Sequence, residues 1–143
     1  MKILIDTNVI LDVLTGREPY CESSAAVLKL CGTQTTGLIS ATQTTDLFYL
    51  LRREGKGAVD AKAVLQQLID HLKVIDATES DVKNALASNM TDYEDALLAF
   101  GGKRHRADYL VTRNGKDFLN SPVSALSPQA FLEQFFGDSS GIK

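Results

Sequence analysis

Short apolar runs alternate along this chain with longer stretches of helical periodicity. Residues 2–5, KILI, are continuous and apolar after Lys2 and predict a buried strand. VILDVL at 9–14 begins a short helix that Gly16 and Pro19 break. A helix from Cys21 to Cys31 carries Ala25, Val27, Leu28 and Leu30 and is closed by Gly32. TGLI at 36–39 predicts a second strand. Ser40 or Thr42 then caps a helix to about Arg53, with Leu47, Leu50 and Leu51 on its apolar face and Phe48 beside them. The next helix covers 58–71, with Val59, Ala63, Leu65, Leu68 and Ile69 expected inward.

KVI at 73–75 predicts the third strand. Thr78 caps a helix over 79–88, with Asp81 completing a partial capping box. A helix over 93–104 has Ala96, Leu97, Ala99 and Phe100 as core candidates. YLV at 109–111 and SAL at 124–126 are the last strands. Ser127 caps the closing helix, with Pro128 at its first position. Strands alternating with helices imply right-handed crossovers and a parallel sheet covered on its faces. The predicted fold is α/β, a three-layer α/β/α sandwich formed by residues 1–136 as one domain, with 137–143 as a frayed tail.

Length and composition agree with this reading. The chain has 143 residues, 44% of them hydrophobic and 23% charged, which suits one globular domain with a real core. The net charge of -3 excludes a broad basic face for nucleic acid and leaves room for an acidic cleft that needs cations. Ten helical residues would hold Cys21 and Cys31 about 15 Å apart, too far for a disulfide. Two free thiols, no signal peptide and no stretch approaching a membrane span predict a cytoplasmic protein.

In an open parallel sheet, sites form at the carboxyl ends of the strands. Two acid-bearing strand ends follow: Asp6 after the first strand, and the Thr112–Asp117 turn after the fourth. Asp6 is either a turn former or half of a site. Asp12 lies nearly a turn and a half further on, facing the cleft or water. Asp92, Glu94 and Asp95 crowd a helix start, where acids are favoured anyway, and Asp92 suits a cap. Asp95 borders a buried face and points to a cleft. Asp46 is a surface acid or a carboxylate reaching toward Asp6. Asp117 caps the turn around Phe118 or joins the other acids, and Thr112 or Asn114 would hydrogen-bond to neighbouring carboxylates.

Aspartates facing one another repel and raise each other's pKa, and a hard divalent cation, Mg²⁺ or Mn²⁺, removes that penalty. Two such ions about 4 Å apart would clamp the attacking and leaving oxygens in phosphodiester cleavage. His71 and His105 have no zinc spacing, and no phosphate-cradling glycine motif occurs. Arg52, Arg53 and Lys56, and Lys103 to Arg106, read first as solvated helix ends. Arg113 and Lys116 are better placed to hold a substrate phosphate. Phe48 and Tyr49 read as core or oligomer contacts.

LIDTNVILDVL at 4–14, ISATQTTDLFYLLRR at 39–53, DYEDALLAF at 92–100 and ADYLVTRNGKDF at 107–118, in this order, resemble the PIN domain family. LSPQAFL at 126–132 is similar to that family's closing strand and helix. The resemblance implies a PIN-like α/β fold and a metal-dependent ribonuclease, in many bacterial members a VapC-type toxin paired with an antitoxin. It implies catalytic roles for Asp6, Asp46, Asp95 and Asp117, with Asp6, Asp95 and Asp117 holding the ion. Thr7, Asn8, Asp92, Thr112 and Asn114 would orient carboxylates or waters. Asp46 stands where the family commonly has glutamate. The family's fourth acid falls at Asn114 or Asp117. The implied partners are RNA, an antitoxin and a second copy of the chain. A non-catalytic PIN-like binding module is the alternative. A receiver-like phosphoacceptor, using Asp76 after the third strand, is a third reading, although no lysine follows 124–126.

Overall fold

The computed structural model describes residues 1–137, and the predicted tail beyond Gly137 lies outside them. Five parallel strands are described: β1 (Lys2–Ile5), β2 (Thr36–Ser40), β3 (Lys73–Ile75), β4 (Tyr109–Val111) and β5 (Ala125–Leu126). Their order across the sheet is β3-β2-β1-β4-β5. The chain therefore builds outward from β1 to β3 and then restarts on the other side at β4. The crevice between β1 and β4 is the topological switch point, where open α/β sheets bind ligands. This order differs from the 2-1-3-4-5 arrangement of receiver-like folds, which removes that reading. Asp76 instead accepts from Arg104 at 2.7 Å and pairs with His105 at 2.8 Å.

Alternation along β1 sends side chains to two cores. Ile3 and Ile5 join Val9, Ile10, Val27, Ile39, Leu47, Leu68 and Phe131 on one face. These residues come largely from α1 (Thr7–Thr15), α2 (Cys21–Leu30), α3 (Ala41–Arg53), α4 (Ala58–His71) and α7 (Pro128–Phe136). Leu4 points the other way, to Leu38, Ile75, Ala85, Ala96, Ala99 and Leu110, under α5 (Glu79–Ala87) and α6 (Tyr93–Arg104). Two helical layers on one sheet make the three-layer sandwich.

The caps follow the sequence closely. Ser40, Thr78 and Ser127 each cap a helix through the side chain, and Pro128 occupies the first turn of α7. Ser40 and Gln43 form a full capping box. The inward face of α4 is different from the one expected. Val59 is 81% exposed and Ile69 42% exposed, and Ala63 is also exposed. The buried positions are Ala61 and Leu68, with Val64 and Leu65 half-buried. That spacing of three, four and seven obeys the helical period, which 59, 63 and 69 do not share with Leu68. On α6, Leu98 is buried while Leu97 and Phe100 are only half-buried. Cys21 and Cys31 are free thiols. Among the described residues no helix is long and apolar enough to cross a membrane.

Gly37 on β2 has no room for a side chain: a Cβ would meet Cys31 Sγ and Leu72 Cδ2, each at 2.5 Å. Gly37→Ala is expected to cost about 1–3 kcal/mol through overpacking, read as a lower urea midpoint with an unchanged slope.

Candidate active site

Asp6 ends β1 and is the N-cap of α1, so its cap and site readings are not exclusive. Its Oδ1 accepts from the Thr7 backbone N–H at 2.7 Å. Its Oδ2 accepts from Thr112 Oγ1 at 2.7 Å and from Asn8 Nδ2 at 3.3 Å. Thr112 is fully buried at the end of β4, and its hydroxyl oxygen accepts in turn from the Asn114 N–H at 3.0 Å. Burial pushes the Asp6 carboxyl up in pKa, against the Thr112 and Thr7 hydrogen bonds that hold it down. Gln43 braces the same corner, donating to the Ile5 carbonyl at 2.9 Å and to Thr7 Oγ1 at 3.1 Å.

Asp6 opens onto a cleft of about 310 Å³ that Asp46 from α3 and Glu94 and Asp95 from α6 also line. Burial, then the charges of Asp92, Asp6, Asp117 and Glu94, push Asp95 up to about 7. Glu94 is raised first by the carboxylate of Asp46 and then by burial. Asp92 caps α6, accepting from the Asp95 N–H at 2.9 Å, and its charge bears on both acids. Asp117 is exposed on the 3₁₀ turn Gly115–Phe118 and does not line the cleft, yet its charge raises both Asp6 and Asp95. Asn114 and Lys116 are exposed on the same turn and also lie outside the cleft lining.

Arg113 is placed differently from the phosphate-binding role expected of it. Its Nε and Nη2 donate to Asp12 at 2.7 and 3.2 Å, and its guanidinium sits 4.0 Å from the centre of the Tyr20 ring. Asp12 is fully buried and also accepts from Ser24 Oγ at 3.3 Å. An unpaired buried carboxylate is costly, so Asp12 takes the nearest guanidinium. The pair pins the turn after β4 to α1, and the Arg113 N–H donates to Asn8 Oδ1 at 3.4 Å. Asp12 and Arg113 thus support the Asn8–Asp6–Thr112 corner from behind.

Among the described residues no three acidic, histidine or cysteine side chains close into a ready-made metal cage. The cleft's oxygen donors are nevertheless led by four carboxylates, Asp6, Asp46, Glu94 and Asp95, with hydroxyl and amide oxygens beside them and neither cysteine nor histidine. Crowded hard donors around an open cleft fit a hard divalent cation that keeps several of its waters.

The profile of the family described as "PIN domain" matches residues 2–116. The chain belongs to the PIN domain family. No curated protein matches it by sequence. Among solved structures, this PIN domain is similar to VapBC2 from Rickettsia felis bound to a promoter DNA fragment. There the identity is 19%, with 89% of this chain and 98% of the other covered and a TM-score of 0.66. VapBC-1 from nontypeable Haemophilus influenzae matches at 14% identity, covering 90% and 99%, with a TM-score of 0.68. VapC20 from Mycobacterium tuberculosis, a sarcin-ricin loop cleaving toxin, matches at 15% identity, covering 76% and 86%, with a TM-score of 0.60. These likenesses show that the fold is that of VapC PIN domains.

Sequence reasoning passed over Glu94, Gln43, Tyr49 and Arg53 as parts of this PIN domain's cleft. Gln43 had a signal in the Ser40-x-x-Gln43 capping box. Arg53 and Tyr49 had one in their spacing from Asp46, which sets all three on one side of α3.

Two outcomes follow from this geometry. Arg113→Met should lose about 3–5 kcal/mol in urea unfolding, because it strands the fully buried Asp12 carboxylate. In metal-free protein Asp95 ionises near 3.8 when unfolded and about 7 when folded, so its contribution to stability declines as pH rises through that window. Asp76, held down to about 2 by His105 and Arg104, acts oppositely: its contribution is complete above 3.8 and is lost as pH falls toward about 2. Asp95→Asn should therefore make the melting temperature of metal-free protein fall less, or rise more, than that of wild type between about pH 4 and about pH 7.

Proposed function

We propose that this PIN domain is a metal-dependent endoribonuclease, the toxin of a VapC-type pair. The observation that carries the reading is the meeting of Asp6, Asp46, Glu94 and Asp95 in one cleft at the carboxyl end of β1. Asp6 and Asp95 would hold Mg²⁺ or Mn²⁺, with Asp117 as the third acid. When bound, the ion supplies an activated water and positive charge against the oxygens of the scissile phosphate. Asp6 is oriented by Thr112, Thr7 and Asn8, and the Thr112 and Thr7 hydrogen bonds favour its ionised form against burial. Glu94, raised by the facing Asp46 carboxylate and by burial, would give its proton to the leaving oxygen as the P–O bond breaks. Glu94 thereby makes up for the methylene that Asp46 lacks relative to the family's usual glutamate. Lys116, on the turn of Asp117, holds the incoming phosphate. The fold's likeness to chains from VapBC complexes supports an antitoxin partner, as does the structure described as a "Toxin-antitoxin complex from Klebsiella pneumoniae". A homodimer acting on cytoplasmic RNA completes the proposal.

The test is cleavage of total RNA by purified protein with and without Mn²⁺. Asp6→Asn and Asp95→Asn should each lower the rate about a hundredfold or more. Mn²⁺ should raise the melting temperature of wild type but not of Asp6→Asn. Wild-type cleavage that survives chelation, or no cleavage of any RNA, would count against the reading.

A further inference from the structure

The acidic floor of the cleft gives way along α3 to a different surface. Asp46, Tyr49 and Arg53 all line the cleft, at helical spacings of three and four residues. Such neighbours share one helix face, about 5.4 Å apart per turn. The carboxylate therefore lies at the inner end, the phenol in the middle and the guanidinium at the outer end. Tyr49 is 67% exposed, an unusual place for an aromatic ring. Its ring is fixed edge-on against Phe48, with centroids 5.2 Å apart and planes at 83°. Phe48 is backed in turn by Arg52, 5.9 Å from its ring centre. Arg53 is the one basic side chain among the residues lining the cleft.

We infer that this outer half of the cleft is a nucleotide subsite, in which Tyr49 stacks the base next to the scissile phosphate and Arg53 holds the following phosphate. The inference rests on the ribonuclease reading and assigns the residues that seat its substrate. A strand whose scissile phosphate sits over the acids continues outward past Tyr49, and one helical turn further meets a cation. A base can stack on a ring only when it is unpaired, so the subsite takes a single-stranded nucleotide. A bare surface tyrosine would serve none of this. What sets Tyr49 apart is a held ring between an acidic floor and a lone guanidinium. RNA fits this order of groups better than a protein tail does, because the cation lies one turn beyond a flat aromatic face rather than beside an acid-binding pocket.

The test reads binding of fluorescein-labelled single-stranded RNA octamers by anisotropy with Mg²⁺, in the full chain carrying Asp95→Asn to stop cleavage. In that background Tyr49→Ala should raise the Kd about tenfold or more, and Tyr49→Phe should leave it unchanged because the stacking face remains. Arg53→Gln should reduce the log–log salt slope by about 0.7, the value for one phosphate on a single strand. A base-paired hairpin stem should bind without sensitivity to Tyr49. Equal Kd and slope in all the variants would overturn the subsite, even if wild type cleaves RNA in a metal-dependent way. Absence of octamer binding by the Asp95→Asn protein would overturn it as well. So would a Tyr49→Ala effect confined to the oligomeric state or to capture of a protein partner. Loss of metal-dependent cleavage in wild type would instead be the failure of the ribonuclease reading itself.

Discussion

The hydroxyl of Thr112, fully buried, donates to the half-buried Asp6 across the junction of β1 and β4 at 2.7 Å. This bond fixes one carboxylate oxygen of Asp6 while the Thr7 N–H fixes the other. It works only because two parallel strands far apart in sequence end side by side, Ile5 level with Val111. The turn after β4 is then fastened from below by the Arg113–Asp12 ion pair. Buried pairs of this kind add little net stability, but losing one partner is expensive, which suits a joint that holds register. The rest of the cleft is arranged around that fixed carboxylate.

The second constraint is repulsion. Asp46, Glu94 and Asp95 are brought toward Asp6 by packing that has nothing to do with charge: Leu47 and Leu51 bury α3, and Ala96, Leu98 and Ala99 bury α6. Their carboxylates are carried along, and Asp95 and Glu94 are raised in pKa as a result. The metal-free protein thus stores unfavourable electrostatics at one place, while the Arg104 clasp on Asp76 and Asp81 supplies favourable electrostatics at another. A cation drawn to the cleft would relieve the first without touching the second. Such local sacrifice of stability is common at functional sites.

Much of the fold was legible in the residues. β1, β3 and β4 and the Ser40, Thr78 and Ser127 caps came from short-range patterns that the folded chain obeys. Asp6 and Asp95 were candidates from their places at a strand end and beside a buried helix face, whereas Asp46 was singled out by the family resemblance and not by spacing; all three line one cleft. The inward face of α4 was not legible, because its apolar residues are spread round the helix and only docking on the sheet decides which are covered. Arg113 was also beyond reach. Its partner Asp12 lies 101 residues away, and strand order alone brings them together. Glu94 and Tyr49 were hidden for a related reason. Their neighbours gave each a bland role, and the rotation of a packed helix determines which of adjacent residues meets the cleft.

Carbon-13 NMR titration of the aspartate and glutamate carboxyls tests most directly whether crowded acids await a cation. Asp95 should titrate at about 7 in metal-free protein and fall below the usual carboxylate range when Mg²⁺ is added. An Asp95 pKa near 3.8 that does not respond to Mg²⁺ would contradict this expectation.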